Sequence, residues 1–372
     1  MIVVVPKENG DSRSALIPGA VKKLCAQEDI EVIVETHLST NWSDEDFQNA
    51  GASIEADRRA LLNKADVVLR IHPSSGDDLK AIQSGALHIS LLDPYNNRSL
   101  VESYAAAGID AVSLEMIPRT TLAQKMDVLS SQASLAGYVA VVMAAERMNK
   151  IFPMMMTPAG TIPPARVFVI GAGVAGLQAI ATAKRMGARV EAFDTRPVVE
   201  EQVQSLGARF LKVDLGETGQ TKDGYAKALT EEQLAIQREA MAKAVASADV
   251  VITTAKLFGR KAPVIVTADM IARMHSGSVV VDLAAGTGGN VEGIVVDQET
   301  MVNGVRLIGL DNLAGEVAVD ASSMLASNMV NLLSHLKEKD FSIEDEIIAG
   351  CMIVRDGQVV HPGICQHYKG EK

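Results

Sequence analysis

The chain is short of aromatics, cysteine and long apolar runs, and each shortage excludes something. Phe, Trp and Tyr together make up 3% of the 372 residues, so the core must be built from Val, Ile, Leu, Ala and Met. The three cysteines, Cys25, Cys351 and Cys365, show no C-x-x-C spacing. That argues against a disulfide framework or a zinc site and points to a reducing compartment. The seven histidines show no ligand spacing; His361 and His367 read as surface residues, and no metal is expected. Basic residues are outnumbered 35 to 46, a formal charge of −11, which disfavours nucleic acid or an anionic membrane surface as partner. No apolar run reaches the roughly 18 to 20 residues that span a bilayer. The longest, Leu135 to Ala145, reads as a buried helix, so no direct membrane insertion is expected. The opening Met1-Ile-Val-Val-Val-Pro6 lacks a basic n-region, which predicts no signal peptide.

What is present is an ordinary α/β balance, 48% hydrophobic and 22% charged, with length enough for two domains. Short β-branched runs alternate with helical patterns, the pattern of parallel sheets with crossover helices. Strands are predicted at 2–5, 31–35, 66–71, 87–92 and 111–115, then at 166–170, 189–194, 249–254, 278–283 and 305–310. Two sets of five imply an α/β fold of two Rossmann-like doubly wound parallel-sheet domains joined by long helices. The expected division is 1–128 with 319–372 for the first domain, and 129–318 for a connecting helix and the second. Leu129 to Met148 and Ala321 to Leu336 supply the joining helices. Between Phe152 and Pro164 the chain reads as a proline-broken loop whose methionine triplet fills gaps in packing. Gly216 to Lys227, polar and glycine-rich, is the best candidate for a lid. Asp356-Gly357 predicts a C-terminal hairpin.

The densest chemical signal runs from Arg166 to Asp194. An apolar strand leads into Gly171-Ala-Gly173-Val174-Ala175-Gly176, then an amphipathic helix, a second strand and an acid. Gly171 permits a tight turn, Gly173 lets the backbone approach a pyrophosphate, and Gly176 allows close helix–strand packing. The helix that starts there points free N–H groups and a positive dipole end at the phosphates. Asp194, 23 residues after Gly171, is placed to accept from both adenosine-ribose hydroxyls, which favours NAD(H) because a 2′-phosphate would meet a negative charge. Arg196 reads either as a partner for a 2′-phosphate or as a surface or phosphate-facing arginine. The first half opens instead with Val5-Pro-Lys-Glu-Asn-Gly-Asp-Ser12, without the glycine triplet, so a single dinucleotide site is expected.

A second cluster follows Pro118: Arg119-Thr-Thr-Leu-Ala-Gln124-Lys-Met-Asp127-Val-Leu-Ser130-Ser-Gln. It resembles the R-x-x-x-A-Q-x-M-D-x-L-S-S-Q loop of the NAD(H)-binding domain I of proton-translocating nicotinamide nucleotide transhydrogenase, in the alanine dehydrogenase/transhydrogenase superfamily. The resemblance covers almost the whole chain, through Pro6-Lys-Glu, Met154-Met-Met-Thr-Pro-Ala-Gly-Thr-Ile-Pro-Pro, Phe193-Asp-Thr-Arg-Pro, Gly224-Tyr-Ala-Lys, Val281-Asp-Leu-Ala, Gly288-Gly-Asn and Arg355-Asp-Gly-Gln. It implies an NAD(P)+ transhydrogenase subunit (Si-specific or proton-translocating type). Hydride would pass between NAD(H) here and NADP(H) on a partner domain, coupled to proton movement through a membrane-spanning subunit. It further implies a homodimer, cytoplasmic and peripheral to the inner membrane through its partners. By the same resemblance Arg119, Gln124, Asp127 and Ser130 surround the nicotinamide and its ribose, with Asp127 in charge contact with Arg119. Val174, Ala175, Gly176, Asp194, Thr195 and Arg196 line the pyrophosphate and adenosine ribose. Tyr225 belongs to a mobile loop that closes over the cofactor, and Gly224 and Gln237 match its adenosine-side positions.

The chain departs from the family pattern in several places. Lys256 stands where an apolar residue usually touches the cofactor. The acid before Gly-Gly-Asn is absent, with Gly286 in Ala285-Gly286-Thr287; the N-x-P-x-R run appears as Asn312-Leu-Ala-Gly-Glu316; and Ser134 replaces an asparagine. Two other readings compete. One is an NAD-dependent amino-acid dehydrogenase of the alanine dehydrogenase type, in which Arg13 would hold a substrate carboxylate, a substrate-side lysine would fall near Arg70, and a catalytic histidine near Leu92-Asp93. No histidine stands there, which disfavours amine oxidation. The other is an NAD-binding paralogue without transfer activity.

Overall fold

The computed structural model describes residues 1–213 and 230–370. The expected lid, with Gly224 and Tyr225, lies outside the described residues. All ten predicted strands form, and they assemble into two sheets. In the first the spatial order is Ser53–Glu55, Glu31–Glu35, Ile2–Val5, Val67–Leu69, Leu87–Ser90, Asp110–Ser113, Met352–Arg355 and Gln358–Val359. Its first six strands run parallel, and the last two are an antiparallel hairpin added at the edge. The second sheet runs Arg209–Phe210, Arg189–Phe193, Arg166–Ile170, Val250–Thr253, Val279–Asp282, Val305–Ile308 and Glu299–Val302, with only the last antiparallel. In each sheet the strand order reverses once, beside the first strand. The chain divides into one unit of Met1–Gln132 with Gly315–Lys372, and another of Ala133–Ala314.

The continuous apolar strands follow from burial on both faces. Val3 and Val5 pack in one core cluster with Leu325, Met329 and Leu332 of the helix Ala318–Glu338, whereas Val4 points the other way, into a cluster with Leu61, Tyr104 and Ile364. At the sheet edge, Asp356 (φ 49°) and Gly357 (φ 72°) are both left-handed, as a two-residue turn between Arg355 and Gln358 requires.

Two sequence expectations need correction. The proline-broken loop contains a hairpin, Met155–Thr157 paired antiparallel with Gly160–Ile162. Its methionines do not fill a core: Met154, Met155 and Met156 are 57%, 45% and 75% exposed. Pro153 on one side and Pro163-Pro164 on the other lack the N–H groups that would extend the ladder. The apolar run at 135–145 is part of a longer helix, Val128–Arg147, the one helix among the described residues long and apolar enough by length and composition to cross a bilayer. Core helices meet the same criterion, and Gly137 marks this one as packed in protein. A Cβ there would lie 2.2 Å from the carbonyl oxygen of Ala175.

His88 is fully buried, its Nε2 3.0 Å from Ser74 Oγ and its ring edge-on to Tyr104. Burial first, then the charge of Arg70, pushes its pKa down to about 3. The unfolded imidazole titrates near 6.5, so this contribution to stability is complete above that pH and is lost as pH falls from 6.5 toward 3. Between pH 7 and pH 5 the neutral His88 should cost the fold about 2 kcal/mol. Urea unfolding of His88→Gln at the two pH values should show a pH dependence smaller by about that amount; an unchanged slope would refute the assignment.

Candidate functional site

The strand-order reversal of the second sheet lies between Arg166–Ile170 and Val250–Thr253, the place where open α/β sheets bind ligands. The glycine turn leaves the first of these strands. Gly171 has φ +95°, and a Cβ on it would lie 2.4 Å from Thr254 Oγ1. Gly176 is more constrained still, since a Cβ there would lie 1.8 Å from the carbonyl oxygen of Gly171. Gly173 faces open space, with nothing within 4 Å of an added Cβ. It is also the N-cap of the helix Val174–Arg185 and supplies no side-chain cap. The first-turn N–H groups of Val174, Ala175 and Gly176 therefore receive no side-chain acceptor from the N-cap. Turn, open cradle and helix end together form an anion-binding mouth.

Asp194 ends the neighbouring strand at the side of this mouth. Its Oδ2 accepts from Ala172 N at 2.8 Å and its Oδ1 from Arg196 N at 2.8 Å. Arg196, which the sequence leaves open, folds its guanidinium back onto the same carboxylate, with Nε to Oδ1 and Nη2 to Oδ2 both at 2.9 Å. Thr195 is half-buried between them. Gln237 lies on the helix Glu231–Ser247, whose start is fixed by a capping box between Thr230 and Gln233. It is buried, and its Oε1 has no hydrogen-bond partner among the described residues, an acceptor still in need of a donor. Lys256 is exposed just past the end of Val250–Thr253. An open glycine cradle with a carboxylate set beside it fits the phosphates and ribose of a dinucleotide.

In the first unit the other cluster is shaped by two buried anchors. Ala123 and Met126, both fully buried, pin the turn Ala123–Met126, so Gln124 projects outward while Arg119 is also exposed. Among the described residues, the hydrogen bonds of Asp127 run to Ser130 rather than to Arg119. Asp127 caps the helix Val128–Arg147, accepting from Ser130 N at 2.9 Å and Ser130 Oγ at 2.6 Å, because the four first-turn N–H groups of a helix need an acceptor. Asn328 holds the loop from behind, donating to Lys125 O at 2.9 Å and accepting from Ser131 Oγ at 2.7 Å.

Several contributors escape a reading of the sequence. Thr254 Oγ1 lies within hydrogen-bond reach of both Ile170 O and Gly171 O, at 3.2 and 3.1 Å, closing the back of the turn. Asp282, fully buried, accepts from Thr253 Oγ1 and from the N–H groups of Ala284, Asn290 and Val291. Asn290 in turn ties Ala255 N, Ala255 O and Pro263 O together. The Val-Asp-Leu-Ala and Gly-Gly-Asn runs are the available signal for both. Asp311 is the other. A Cβ on Gly286 would lie 2.0 Å from its Oδ1, so its carboxylate occupies the space a side chain at 286 would enter.

The corresponding reversal in the first unit, between Ile2–Val5 and Val67–Leu69, has no glycine mouth. Glu8 fills it, accepting from Ile71 N at 2.6 Å and pairing with Arg70 at 3.3 Å. Arg70 also meets Ser74 and Asp78, and Arg13 is held by Asp11 and Gln132. Burial disfavours the Asp11 carboxylate, but hydrogen bonds from His72 and Arg13 outweigh it and hold the group far below the usual range.

Fold and site define a two-unit Rossmann-like protein of the dinucleotide-binding class. Comparison with known proteins narrows that class. Residues 4–136 match the family model described as "Alanine dehydrogenase/PNT, N-terminal domain", and residues 140–362 match "Alanine dehydrogenase/PNT, C-terminal domain". The chain belongs to the alanine dehydrogenase/PNT family. It is 42% identical to the first portion of NAD(P) transhydrogenase subunit alpha of Rhodospirillum rubrum, over 98% of this chain and 99% of that one. It is 38% identical to the same-named polypeptide of Rickettsia prowazekii, over 99% and 98%. Among solved structures, a transhydrogenase from Sinorhizobium meliloti superposes with a TM-score of 0.88 at 42% identity, covering 97% of this chain and 100% of that one.

The packing of Gly137 against Ala175 makes the phosphate turn sensitive to a helix that carries none of its residues. Gly137→Ala should force the backbone of Ala175 to move, destabilising the second unit by about 1–3 kcal/mol and weakening NADH binding. Thermal melting and calorimetry check both, and a variant with wild-type melting and affinity would show the approach to be looser than described.

Proposed function

We propose that this chain is the NAD(H)-binding subunit of a proton-translocating nicotinamide nucleotide transhydrogenase, exchanging hydride with NADP(H) on a partner domain. The observation that carries the reading is the open glycine mouth at the switch point of the second sheet, with the Asp194 carboxylate beside it. Gly171, Gly173, Val174, Ala175 and Gly176 take the pyrophosphate through backbone N–H groups, and Asp194 and Thr195 serve the adenosine ribose, with Arg196 on the Asp194 carboxylate beside them. Gln237 contributes on the adenosine side, as Gly224 does by resemblance, Tyr225 closes over the cofactor by the same resemblance, and Lys256 borders the site. The bound nicotinamide supplies the reacting hydride. Direct transfer between two rings needs no general base, so the protein's work is to hold and orient. That task falls to Gln124 and Arg119 at the nicotinamide end, with Ser130 and the cap residue Asp127 fixing the start of the helix behind them.

The amino-acid dehydrogenase reading is disfavoured by the first unit. A substrate carboxylate would need Arg13 or Arg70, and these guanidinium groups are held by Asp11 and by Glu8 and Asp78. The names of the relatives support a multi-subunit assembly. In it this chain forms a homodimer that is cytoplasmic and peripheral to the inner membrane, joined to a membrane-spanning subunit and an NADP(H)-binding domain.

Mixing the protein with an NADP(H)-binding domain should give hydride exchange between an NADH analogue and NADP+. Tight NADH binding without exchange would favour a non-transferring paralogue, and turnover of alanine with NAD+ alone would favour the dehydrogenase. Gln124→Asn should leave NADH affinity within about twofold and lower the transfer rate by one or more orders of magnitude, since it acts on ring placement in the transition state; equal losses in both would remove Gln124 from that role. Asp194→Ala should weaken NADH binding roughly tenfold or more and narrow the preference over NADPH. An unchanged preference in calorimetry would count against the ribose assignment.

A further inference from the structure

We propose that Arg196 is a competing occupant of the ribose site: its guanidinium holds the outward lone pairs of Asp194 until an adenosine ribose displaces it, and this exchange sets the margin between NAD(H) and NADP(H). The inference rests on the dinucleotide reading above and deepens it. An ionised carboxylate offers about four acceptor positions. Among the described residues four donors meet Asp194: the backbone N–H groups of Ala172 and Arg196, and Nε and Nη2 of Arg196, at 2.8 to 2.9 Å. The two backbone donors belong to the turn and cannot leave without unfolding it. The two side-chain donors can rotate away. A ribose diol therefore binds Asp194 only by taking the positions of Nε and Nη2.

The pair is well sheltered, with side-chain exposures of 20% for Arg196 and 7% for Asp194, so the exchange is between charge-assisted hydrogen bonds of substantial strength. Two effects on selectivity follow. For NAD(H), both 2′ and 3′ hydroxyls replace the lost donors, against the cost of displacing the guanidinium. For NADP(H), the 2′-phosphate brings no donor and adds negative charge beside Asp194. Arg196 is then the one cation of the motif placed to bridge carboxylate and phosphate. The arginine thus lowers affinity for the preferred nucleotide and softens rejection of the other.

The test is calorimetry of the full-length subunit with NADH, NADPH and ADP-ribose, comparing wild type, Arg196→Gln and Arg196→Lys. Removing the guanidinium leaves Asp194 with its two backbone donors, so Arg196→Gln should bind NADH and ADP-ribose roughly three- to tenfold more tightly. Its affinity for NADPH should fall, widening the ratio about tenfold or more. Lys keeps the charge but not the two-pronged fork, so Arg196→Lys should also bind ADP-ribose more tightly than wild type. Weaker ADP-ribose binding in both variants would make Arg196 a direct nucleotide ligand and overturn the proposal. So would an unchanged NADH to NADPH ratio in Arg196→Gln. Wild type that binds no NADH at all would remove the dinucleotide reading itself, whereas binding with unaltered ratios removes only the exchange.

Discussion

The rest of the second unit depends on backbone meeting backbone without a side chain between. Gly176 sits so close to the carbonyl of Gly171 that no Cβ fits, and Gly137 approaches the carbonyl of Ala175 almost as closely. These contacts aim the first turn of the helix Val174–Arg185 at the space in front of Gly173. A single methyl at either approach would tilt the helix, and the unsatisfied N–H groups would no longer converge. Thr254 belongs to the same constraint, since its hydroxyl lies within hydrogen-bond reach of two carbonyls in the turn.

The two units share a topology and solve its switch point in opposite ways. In the second, small residues leave a mouth open, and the polar support lies behind it in the buried Asp282 and Asn290 networks. In the first, the equivalent place is closed by Glu8, Arg70 and Asp78, with Arg13 and Asp11 alongside. Fold therefore says little about which unit carries chemistry. A glycine with φ +95° after one strand and a charged Pro-Lys-Glu after the other make the difference.

Much of this is legible in the sequence because burial writes itself into composition. Strands such as Val3-Val4-Val5, covered on both faces, read as unbroken β-branched runs, and the glycine triplet reports its own geometry. What escapes a linear reading depends on partners distant in sequence. Asp127 resembles an ion-pair partner for Arg119 because both are charged and near in sequence. The capping demand of a helix that begins one residue later takes its carboxylate instead. Asn328 is 203 residues from the Lys125 carbonyl it holds, a relation no local pattern encodes. Hydrophobicity alone assigns the methionines at 154–156 to a core, although the flanking prolines are the better guide to an isolated hairpin.

The departures from the family pattern also look different in three dimensions. Gly286 follows the strand Val279–Asp282, and Asp311 follows its neighbour Val305–Ile308. The carboxylate of Asp311 lies where a side chain at 286 would go, so a negative charge remains at this edge of the sheet, supplied from one strand over. Its backbone is held by a hydrogen bond to Asp297 at 3.1 Å, which keeps the group near the loop that Asp282 and Asn290 organise. Glu316 stands just before the helix Ala318–Glu338, where a negative charge is favoured by the helix dipole and a positive one is not. Lys256 is exposed at a strand end, where a flexible ammonium keeps its hydration. Asp311, Glu316 and Lys256 are thus each physically accommodated within their own unit.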